Sequence, residues 1–338
     1  MKKYNIAVVG VGAVGIEMLR VLKARNFPAG EIKVLARSSR DIVVDGVKYS
    51  VEAIGSNSFR GTDIALFAGT EGEKGAAVTF AREAVKCGAV VIDNGADFRM
   101  DKDVPLVVPE VNGRDVKKHK GIIANPNCST IQMVVALWPI YKKAGIKRII
   151  VTTLQASSGA GRSAVEQLKE EINMIAAGGF DKVNVNVDNP SMPQQLAFNV
   201  FPQIGGFTEC DYTSEEWKLV KETHKIMHDS KIKISATTVR VPVRTGHSES
   251  VYIETVKPIS VALAKKILAK SEGIVLIDDP KSNLYPMPKD AEGKDETFVG
   301  RIRKDCFVKN GMWLWVVADN LRKGAATNAV QIAEILIK

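Results

Sequence analysis

The residues best suited to do chemistry lie in the segment 125–130, which reads Asn-Pro-Asn-Cys-Ser-Thr. A short β-prone stretch precedes it, and the apolar stretch 131–138 after it is typical of a buried helix. Pro126 cannot continue a central strand, so we expect a sharp turn that places Cys128 at or near a helix N-terminus. Unpaired N–H groups and the helix dipole there favour a thiolate and can receive an oxyanion. Cys128 is therefore a candidate nucleophile, and a small core residue is the alternative.

A second candidate is His247, which stands beside Gly246 between two predicted strands. An imidazole titrates near neutral pH and can relay protons for a cysteine nucleophile. The residue types therefore suggest a general acid or base, and a structural histidine is the alternative.

A metal site is not expected. His224 and His228 stand four residues apart in a predicted helix over 214–228. No third residue accompanies them at a spacing that suits a metal ligand set.

The N-terminal segment predicts dinucleotide binding. A buried strand over 4–9 leads to a glycine-rich turn and then to a helix over 16–22. The turn consists of Gly10, Val11, Gly12, Ala13, Val14 and Gly15. Its glycines permit a tight turn and let a pyrophosphate approach the backbone at the helix N-terminus. A glycine turn that serves only packing is the alternative.

The end of the next predicted strand, 31–36, indicates the cofactor. The strand runs into Arg37, Ser38, Ser39 and Arg40. A site for NAD usually has an acidic residue here for the ribose 2′-hydroxyl, whereas arginine and serine suit a 2′-phosphate. We therefore expect NADP, with a polar loop as the alternative.

Strands and helices alternate through the first third of the chain, with strands near 63–68 and 89–92 around a helix near 75–87. This order predicts an α/β fold with a doubly wound, largely parallel sheet that binds ligands at the carboxyl ends of its strands. Arg99 follows one such end and could bind a phosphate or carboxylate, or form a surface salt bridge.

The rest of the chain predicts a second sheet. A strand over 147–154 runs into small residues and a helix, and further strands are expected over 233–243, 250–254, 297–303 and 313–318. The segment 178–212 is rich in Asn, Pro, Gln and Gly and predicts long irregular connections.

Composition limits the classes of function. The chain of 338 residues has a formal net charge of +9, but the basic residues are scattered and no nucleic-acid-binding module is recognisable. A positive field would help to gather an anionic small substrate. The four cysteines form no C-x-x-C pair, and no apolar run approaches membrane-spanning length. We expect a cytoplasmic protein without a nucleic-acid or membrane partner.

With Cys128 and His247 identified, the chain resembles the aspartate-β-semialdehyde dehydrogenase family over almost its whole length. The segment 125–130 is the most specific match. Further matches follow in family order at 107–112, 155–161, 215–218, 240–247, 298–301 and 319–325. Related reductases of N-acetyl-glutamyl phosphate typically have glycine before the cysteine and an aromatic residue after it. Asn127 and Ser129 therefore favour the aspartyl branch.

The resemblance implies a role for each matching residue. Cys128 would accept the acyl group, His247 would act as acid or base, and Gln155 would position the thioacyl intermediate. Substrate-binding residues would be Arg99 and Lys218 for the phosphate, Arg240 for the carboxylate, Glu215 for the amino group, and Asn127. The cofactor would contact Gly10, Val11, Gly12, Ala13, Val14, Gly15, Arg37, Ser38, Ser39, Ser158, Gly159 and Asn320.

The resemblance also implies the domain plan. We expect a Rossmann-type NADP-binding domain over 1–127, an α+β catalytic and dimerisation domain over 128–318, and a C-terminal helix over 319–338 that returns to the NADP-binding domain. The expected assembly is a homodimer.

Two segments depart from the family pattern. The first glycine loop is one residue shorter than the usual G-A-T-G-x-V-G. The usual S-A-G-G-S segment and Asn-Ser/Thr-Ser run are replaced by residues 67–72 and 94–97. Both departures affect loops for cofactor or phosphate rather than the acyl chemistry.

The expected reaction is the reversible conversion of L-4-aspartyl phosphate and NADPH into L-aspartate 4-semialdehyde, inorganic phosphate and NADP⁺, in the biosynthesis of lysine, diaminopimelate, threonine and methionine. A thiolate suits it because it attacks well and also leaves well. The alternatives are reduction of another acyl phosphate or an acyl-CoA on the same scaffold, and a non-catalytic NADP-binding homologue.

Overall fold

The structure, a computed structural model, describes residues 2–69, 75–179, 183–188 and 190–338. Its strands are β1 (Tyr4–Val9), β2 (Ala29–Ala36), β3 (Arg40–Val44), β4 (Val47–Ala53), β5 (Ile64–Phe67), β6 (Val90–Asp93), β7 (Ile122–Ala124), β8 (Ile146–Gln155), β9 (Lys233–Arg240), β10 (His247–Thr255), β11 (Ile274–Leu276), β12 (Thr297–Lys304) and β13 (Gly311–Ala318). Its helices are α1 (Ala13–Ala24), α2 (Ala76–Lys86), α3 (Pro109–Asn112), α4 (Cys128–Ala144), α5 (Arg162–Gly178), α6 (Ser214–Met227), α7 (Val261–Leu268), α8 (Pro288–Ala291) and α9 (Thr327–Leu336).

The chain divides into two compact units. Unit 1 comprises Met1–Asn127, Lys225–Met227 and Gly324–Lys338, and unit 2 comprises Cys128–His224 and His228–Lys323. No helix in the described residues combines the length and the apolar character needed to cross a membrane.

Unit 1 contains a sheet with the strand order β3-β4-β2-β1-β5-β6-β7. Its neighbouring strands pair in parallel, except that β3 and β4 are antiparallel. The chain starts at β1 in the middle of the sheet and later continues on its other side at β5. The glycine turn after β1 therefore lies at the point where the strand order reverses, which is where open α/β sheets bind ligands.

The unit 1 core joins the two ends of the chain. Met18 and Leu22 of α1 share one apolar cluster with Ala329 and Ala333 of α9. Arg25 at the end of α1 forms an ion pair of 2.7 Å with Glu334 of α9. The C-terminal helix is thus part of the dinucleotide-type unit.

One hairpin in unit 1 was not predicted. The sequence analysis predicts no strand after 31–36 before the one near 63–68, whereas β3 begins at Arg40 and β4 follows it. The β3–β4 turn contains Asp45 and Gly46 with positive φ angles of 47° and 78°. Asp-Gly is the common sequence of a tight hairpin turn, so the signal was present in the sequence.

Unit 2 contains a mixed sheet with the strand order β11-β12-β13-β10-β8-β9. Helix α4 packs against β8, β10, β12 and β13. Because most of α4 is buried, its apolar residues occur on nearly every side, as expected for a helix enclosed by its own domain. The start of α4 is consequently held over one end of β10.

The segment after α5 is irregular in its described part, as predicted. Two side chains of α5 hold it: Glu171 Oε2 accepts hydrogen bonds of 2.7 Å from the backbone of Leu196 and Ala197. Gln167 Oε1 accepts from the backbone of Ser191 and Met192. Backbone polar groups outside regular structure are therefore satisfied by buried side chains.

Candidate active site

Cys128 is the first residue of α4 and is partly exposed. The preceding residues of the motif, Pro126 and Asn127, are buried, and so are Ser129 and Thr130. The turn that the sequence predicts therefore presents the sulfur at a helix N-terminus, where the N–H groups of the first turn have no partners within the helix. This position favours a thiolate through the helix dipole.

A buried polar cluster lies at the ends of β8 and β9. Gln155 and Arg240 are neighbours in the register of these parallel strands. Gln155 Nε2 donates to Glu215 Oε1 across 3.2 Å, and Arg240 Nη1 donates to the carbonyl oxygen of Ala156 across 2.6 Å. Lys218 Nζ lies 3.5 Å from Glu215 Oε2. The structure thus brings together in unit 2 four residues that the sequence assigned to one site.

Electrostatics connect this cluster to the cysteine. Burial lowers the pKa of Arg240, while the negative charges of Glu215 and Cys128 oppose this change. An ionised Cys128 thus acts on the guanidinium of Arg240 through its charge. An arginine held in this way can also bind a carboxylate through two parallel hydrogen bonds.

His247 is fully buried and begins β10. The prediction that it lies in the connection between two strands was wrong, because β10 starts three residues earlier than expected. Its Nδ1 accepts a hydrogen bond of 3.0 Å from the backbone N–H of Ala156, and Nε2 has no partner among the described residues. Burial lowers the pKa of His247 well below its ordinary value, and the charge of Arg240 lowers it further.

Gly159 packs directly against the histidine. A Cβ atom built on Gly159 would lie 3.0 Å from Nε2 of His247 and 3.4 Å from Nη1 of Arg240. Ser158 and Asn320 exchange side-chain hydrogen bonds of 3.0 to 3.1 Å, and Asn320 Oδ1 also accepts from the backbone of Gly246. Of the expected cofactor residues, Gly159 therefore lies against the histidine ring, and Asn320 joins Ser158 to the backbone of Gly246, the residue before the histidine.

The glycine turn of unit 1 has the geometry that a dinucleotide requires. Gly10 has a φ of +101°, and a Cβ on Gly15 would lie 1.9 Å from the carbonyl oxygen of Gly10. A Cβ on Gly12 would meet nothing within 4 Å, and Gly12 caps α1 without a side-chain hydrogen bond. The first and third glycines thus serve the turn and helix packing, while the second leaves room beside the helix N-terminus.

The predicted 2′-phosphate residues follow β2. Arg37, Ser38 and Ser39 are exposed. Ser39 Oγ accepts a hydrogen bond of 3.0 Å from the backbone of Ala53, and Arg40 Nη1 donates to Ser38 Oγ across 3.1 Å. These contacts give the loop a defined shape, and Arg37 stays exposed beside them.

Arg99 belongs to unit 1 and is buried. Its guanidinium donates to the backbone carbonyls of Asn125 and Asn94 at 3.0 and 2.9 Å. The alternative role that the sequence suggested for Arg99, a salt bridge on the surface, does not fit this burial. Residues 70–72 of the altered S-A-G-G-S segment lie outside the described residues.

The two helical histidines do not form a pair on one face. His228 terminates α6 in a left-handed conformation, with a φ of 54°. A ring nitrogen of His224 lies 2.8 Å from the carbonyl oxygen of Ile232. Among the described residues, no group of three or more His, Cys, Asp and Glu side chains could hold a metal ion.

Two buried polar residues near the site were missed. Gln132 lies one turn beyond Cys128 in α4, and its Nε2 contacts the carbonyl oxygen of His247 at 3.4 Å. Glu249 lies two residues beyond His247 on the same face of β10, and burial raises its pKa well above the ordinary value. Gln132 is a polar residue within an apolar stretch, which is the sequence signal that could have identified it, whereas Glu249 stands between two serines and gives no such signal.

Comparison with known proteins agrees with this geometry. A family model described as the NAD binding domain of semialdehyde dehydrogenase matches residues 5–119, and the corresponding dimerisation domain matches residues 137–323. Aspartate-semialdehyde dehydrogenase of Aquifex aeolicus is 54% identical over 344 residues, covering 99% of this chain and 98% of that protein. The enzyme of Bacillus subtilis is 48% identical, with 99% and 97% covered.

Solved structures give the same result. The crystal structure of aspartate semialdehyde dehydrogenase II from Vibrio cholerae, complexed with ASA, superposes with a TM-score of 0.93 at 44% identity. The match covers 100% of this chain and 99% of that one. The α/β expectation, with a Rossmann-type domain and a catalytic and dimerisation domain, is confirmed. The chain belongs to the semialdehyde dehydrogenase family, within its aspartate-semialdehyde dehydrogenase members.

Proposed function

We propose that this protein catalyses the reversible, NADP-dependent reduction of L-4-aspartyl phosphate to L-aspartate 4-semialdehyde and inorganic phosphate. The observation that carries the proposal is the placement of Cys128 at the N-terminus of α4, within electrostatic range of a buried Arg240 that shares a cluster with Gln155 and Glu215. A nucleophile beside an anion-binding group suits a substrate that is both acylating and negatively charged.

Cys128 supplies the covalent step. Its thiolate attacks the acyl carbon, phosphate leaves, and a thioester forms. Bound NADPH supplies the hydride that reduces this thioester. The thiolate then leaves as the aldehyde forms, which is why a thiol suits the reaction better than a hydroxyl.

The remaining residues hold the substrate. Arg240 suits the substrate carboxylate because it is buried and fixed through Ala156. Glu215 suits the amino group as a buried carboxylate, and Gln155 is fixed by Glu215 for contact with the thioacyl group. Lys218 and Arg99 carry the positive charge that a phosphate needs, and Asn127 adjoins the nucleophile.

The dinucleotide is assigned to the unit 1 sheet. The close approach of Gly15 to Gly10 and the open space at Gly12 support a pyrophosphate over this turn. The exposed Arg37 at the end of β2 supports NADP rather than NAD.

The test is an assay of NADP⁺ reduction by the purified protein with L-aspartate 4-semialdehyde. We expect a rate that requires inorganic phosphate, because phosphate must attack the thioester to release the product. A rate that requires coenzyme A instead would establish the acyl-CoA alternative. Absence of any turnover alongside tight NADP binding would establish the non-catalytic alternative.

We also infer a homodimer in the cytoplasm, as is usual for an enzyme of amino-acid biosynthesis. The match of residues 137–323 to a dimerisation domain supports the dimer. Light scattering of the purified protein at micromolar concentration tests it, and a mass near that of one chain would contradict it.

A further inference from the structure

The turn that carries Arg99 has no regular structure of its own. Residues 94–105 contain neither helix nor strand. Arg99 is nonetheless buried, with an exposed fraction of 5%, and so is its neighbour Phe98. A buried segment outside helices and strands must find partners for its backbone carbonyls elsewhere, because an unpaired buried carbonyl is costly.

Lys225, near the end of α6, supplies three of these partners. Its Nζ donates to the carbonyl oxygens of Arg99, Asp101 and Val104 at 2.6, 2.8 and 2.8 Å. An ammonium has three N–H donors and no acceptor. Three short bonds therefore match the donor capacity of this side chain. Lys225 and the turn both belong to unit 1.

The arrangement suits a lysine in particular. The three acceptors converge on one nitrogen atom, whereas the guanidinium of an arginine spreads its donors in a plane. Hydrogen bonds from a charged donor are also roughly twice as strong as those between neutral groups. Because the acceptors are backbone atoms, Lys225 sets the path of the chain through the turn.

The guanidinium of Arg99 is fixed separately. Its Nε donates to the carbonyl oxygen of Asn125 at 3.0 Å, and its Nη2 donates to that of Asn94 at 2.9 Å. The side chain of Asn125 is itself held, since its Nδ2 donates to Asn94 Oδ1 at 2.6 Å and its Oδ1 accepts from Asn328 Nδ2 at 2.7 Å. These four residues form one connected network within unit 1.

The two sets of bonds act on opposite ends of the same residue. Lys225 holds the carbonyl oxygen of Arg99, and Asn125, three residues before Cys128, holds its guanidinium. Loss of the lysine would take a charged donor away from three carbonyls, so the turn would rearrange to find other partners. The guanidinium would then lose its alignment with Asn125, because its backbone would no longer be fixed.

We propose that Lys225 is a positioning residue for the phosphate site. It fixes the backbone of the 99–104 turn so that the guanidinium of Arg99 stays where phosphate binds. The proposal rests on the proposed function, which assigns Arg99 to the phosphate. It adds a residue that acts through Arg99 and not on the substrate.

Kinetics separate this role from a merely structural one. Inorganic phosphate is a substrate in the oxidative direction, so a displaced Arg99 weakens phosphate binding in particular. Methionine retains the length of lysine but has no N–H donor, and we expect Lys225→Met to raise the KM for phosphate by roughly tenfold. The KM values for NADP⁺ and the semialdehyde should stay as in the wild type. An unchanged KM for phosphate, or equal rises in all three KM values, would overturn the proposal.

Lys120→Met is the matched control. Lys120 Nζ lies 2.8 Å from the carboxylate of Asp103 in the same turn, and both side chains are exposed. This variant removes one positive charge beside the turn and leaves the bonds from Lys225 in place. We expect its KM for phosphate to equal that of the wild type. A rise as large as in Lys225→Met would mean that charge, and not the bonds to the backbone, determines phosphate binding.

Nitrogen-15 NMR of the full protein with labelled arginine measures the positioning without turnover. The Nε–H signal of Arg99 is assigned by its loss in Arg99→Lys. Its hydrogen bond to Asn125 is buried, so exchange with water should be slow in the wild type. We expect exchange at least about tenfold faster in Lys225→Met and unchanged in Lys120→Met. Unchanged exchange in Lys225→Met would exclude Lys225 as the positioning residue.

Arg25 serves as the internal reference in the same spectra. Its Nε donates to Glu334 across 2.7 Å elsewhere in unit 1. Its exchange should stay at the wild-type rate in Lys225→Met. Faster exchange at both Arg25 and Arg99 would mean a general loosening of unit 1 and would overturn the proposal. An assay without phosphate dependence would refute the proposed function, whereas unchanged exchange alongside phosphate-dependent turnover would refute only the role of Lys225.

Discussion

The α-carbon of Gly159 lies so close to His247 that a Cβ atom there would be 3.0 Å from both Cε1 and Nε2 of the ring. Contacts this short are rare for real Cβ atoms, so either the ring or the 157–160 turn must move in any variant with a side chain. Glycine is required here because a Cβ atom would collide with its neighbours. The backbone of Gly159 itself is not in the left-handed region that favours glycine.

Gly159→Ala should therefore impair catalysis more than folding. The neighbouring groups must shift by a few tenths of an ångström, and we expect this misplacement to lower kcat by roughly tenfold. The matched control is Gly178→Ala, because a Cβ at Gly178 would meet nothing within 4 Å. Similar kcat values in the two variants would contradict the argument.

Arg240→Lys should weaken substrate binding although it keeps the charge. The guanidinium donates to Ala156 and has further donors for a carboxylate, whereas an ammonium is a point charge without this planar geometry. We expect the KM for the semialdehyde to rise by about 10-fold or more. Lys147→Arg, at an exposed ion pair with Glu254, is the control and should leave KM unchanged. An unaltered KM in Arg240→Lys would remove Arg240 from the substrate site.

Arg37→Ala should raise the KM for NADP and leave the KM for NAD unchanged. Arg37 is exposed at the end of β2, where its charge suits a 2′-phosphate. We expect the KM for NADP to rise by roughly 10-fold. Equal changes for both cofactors would show that Arg37 does not contact the 2′-phosphate, and Lys48→Ala, which breaks an exposed ion pair with Asp41, serves as the control.

Glu249→Gln should stabilise the protein increasingly as pH rises. Burial raises the pKa of Glu249, so the native state retains a proton that the unfolded chain loses above its ordinary pKa. Between these two pKa values, the unfolding free energy of the wild type falls with pH by up to about 1.4 kcal/mol per pH unit from this group. Glutamine cannot ionise, so the unfolding free energy of the variant should increasingly exceed that of the wild type as pH rises.

Urea denaturation at about pH 5 and about pH 8 measures this difference. His247 changes the unfolding free energy in the opposite direction. Its pKa is lowered in the native state, so the unfolding free energy falls as pH drops below the ordinary pKa of histidine. It is present in both proteins and cancels in the comparison. A difference that is independent of pH would mean that Glu249 is ionised in the native state.

The sequence predicted most of the fold because its local signals agree with the global arrangement. The strand, glycine turn and helix at the N-terminus, and the turn before Cys128, depend on residues that are adjacent in the chain. The β3–β4 hairpin was missed although Asp45-Gly46 is a strong turn signal.

Long-range contacts account for the parts of the site that could not be predicted. The hydrogen bond from Ala156 to His247 joins residues 91 positions apart, and the contact from Gln132 to His247 joins residues 115 positions apart. An alanine also gives no chemical signal, since only its backbone takes part. Such groups become visible when β8, β10 and α4 are placed together.

The central claim is that Cys128 carries the acyl group, and one measurement tests it most directly. Phosphate-dependent reduction of NADP⁺ with L-aspartate 4-semialdehyde is compared in the wild type and in Cys128→Ala, with Cys87→Ala as the control at another partly exposed cysteine. The account predicts that Cys128→Ala loses at least about 10³-fold in kcat while Cys87→Ala retains the wild-type rate. Turnover by Cys128→Ala close to the wild-type rate would contradict the thioester mechanism.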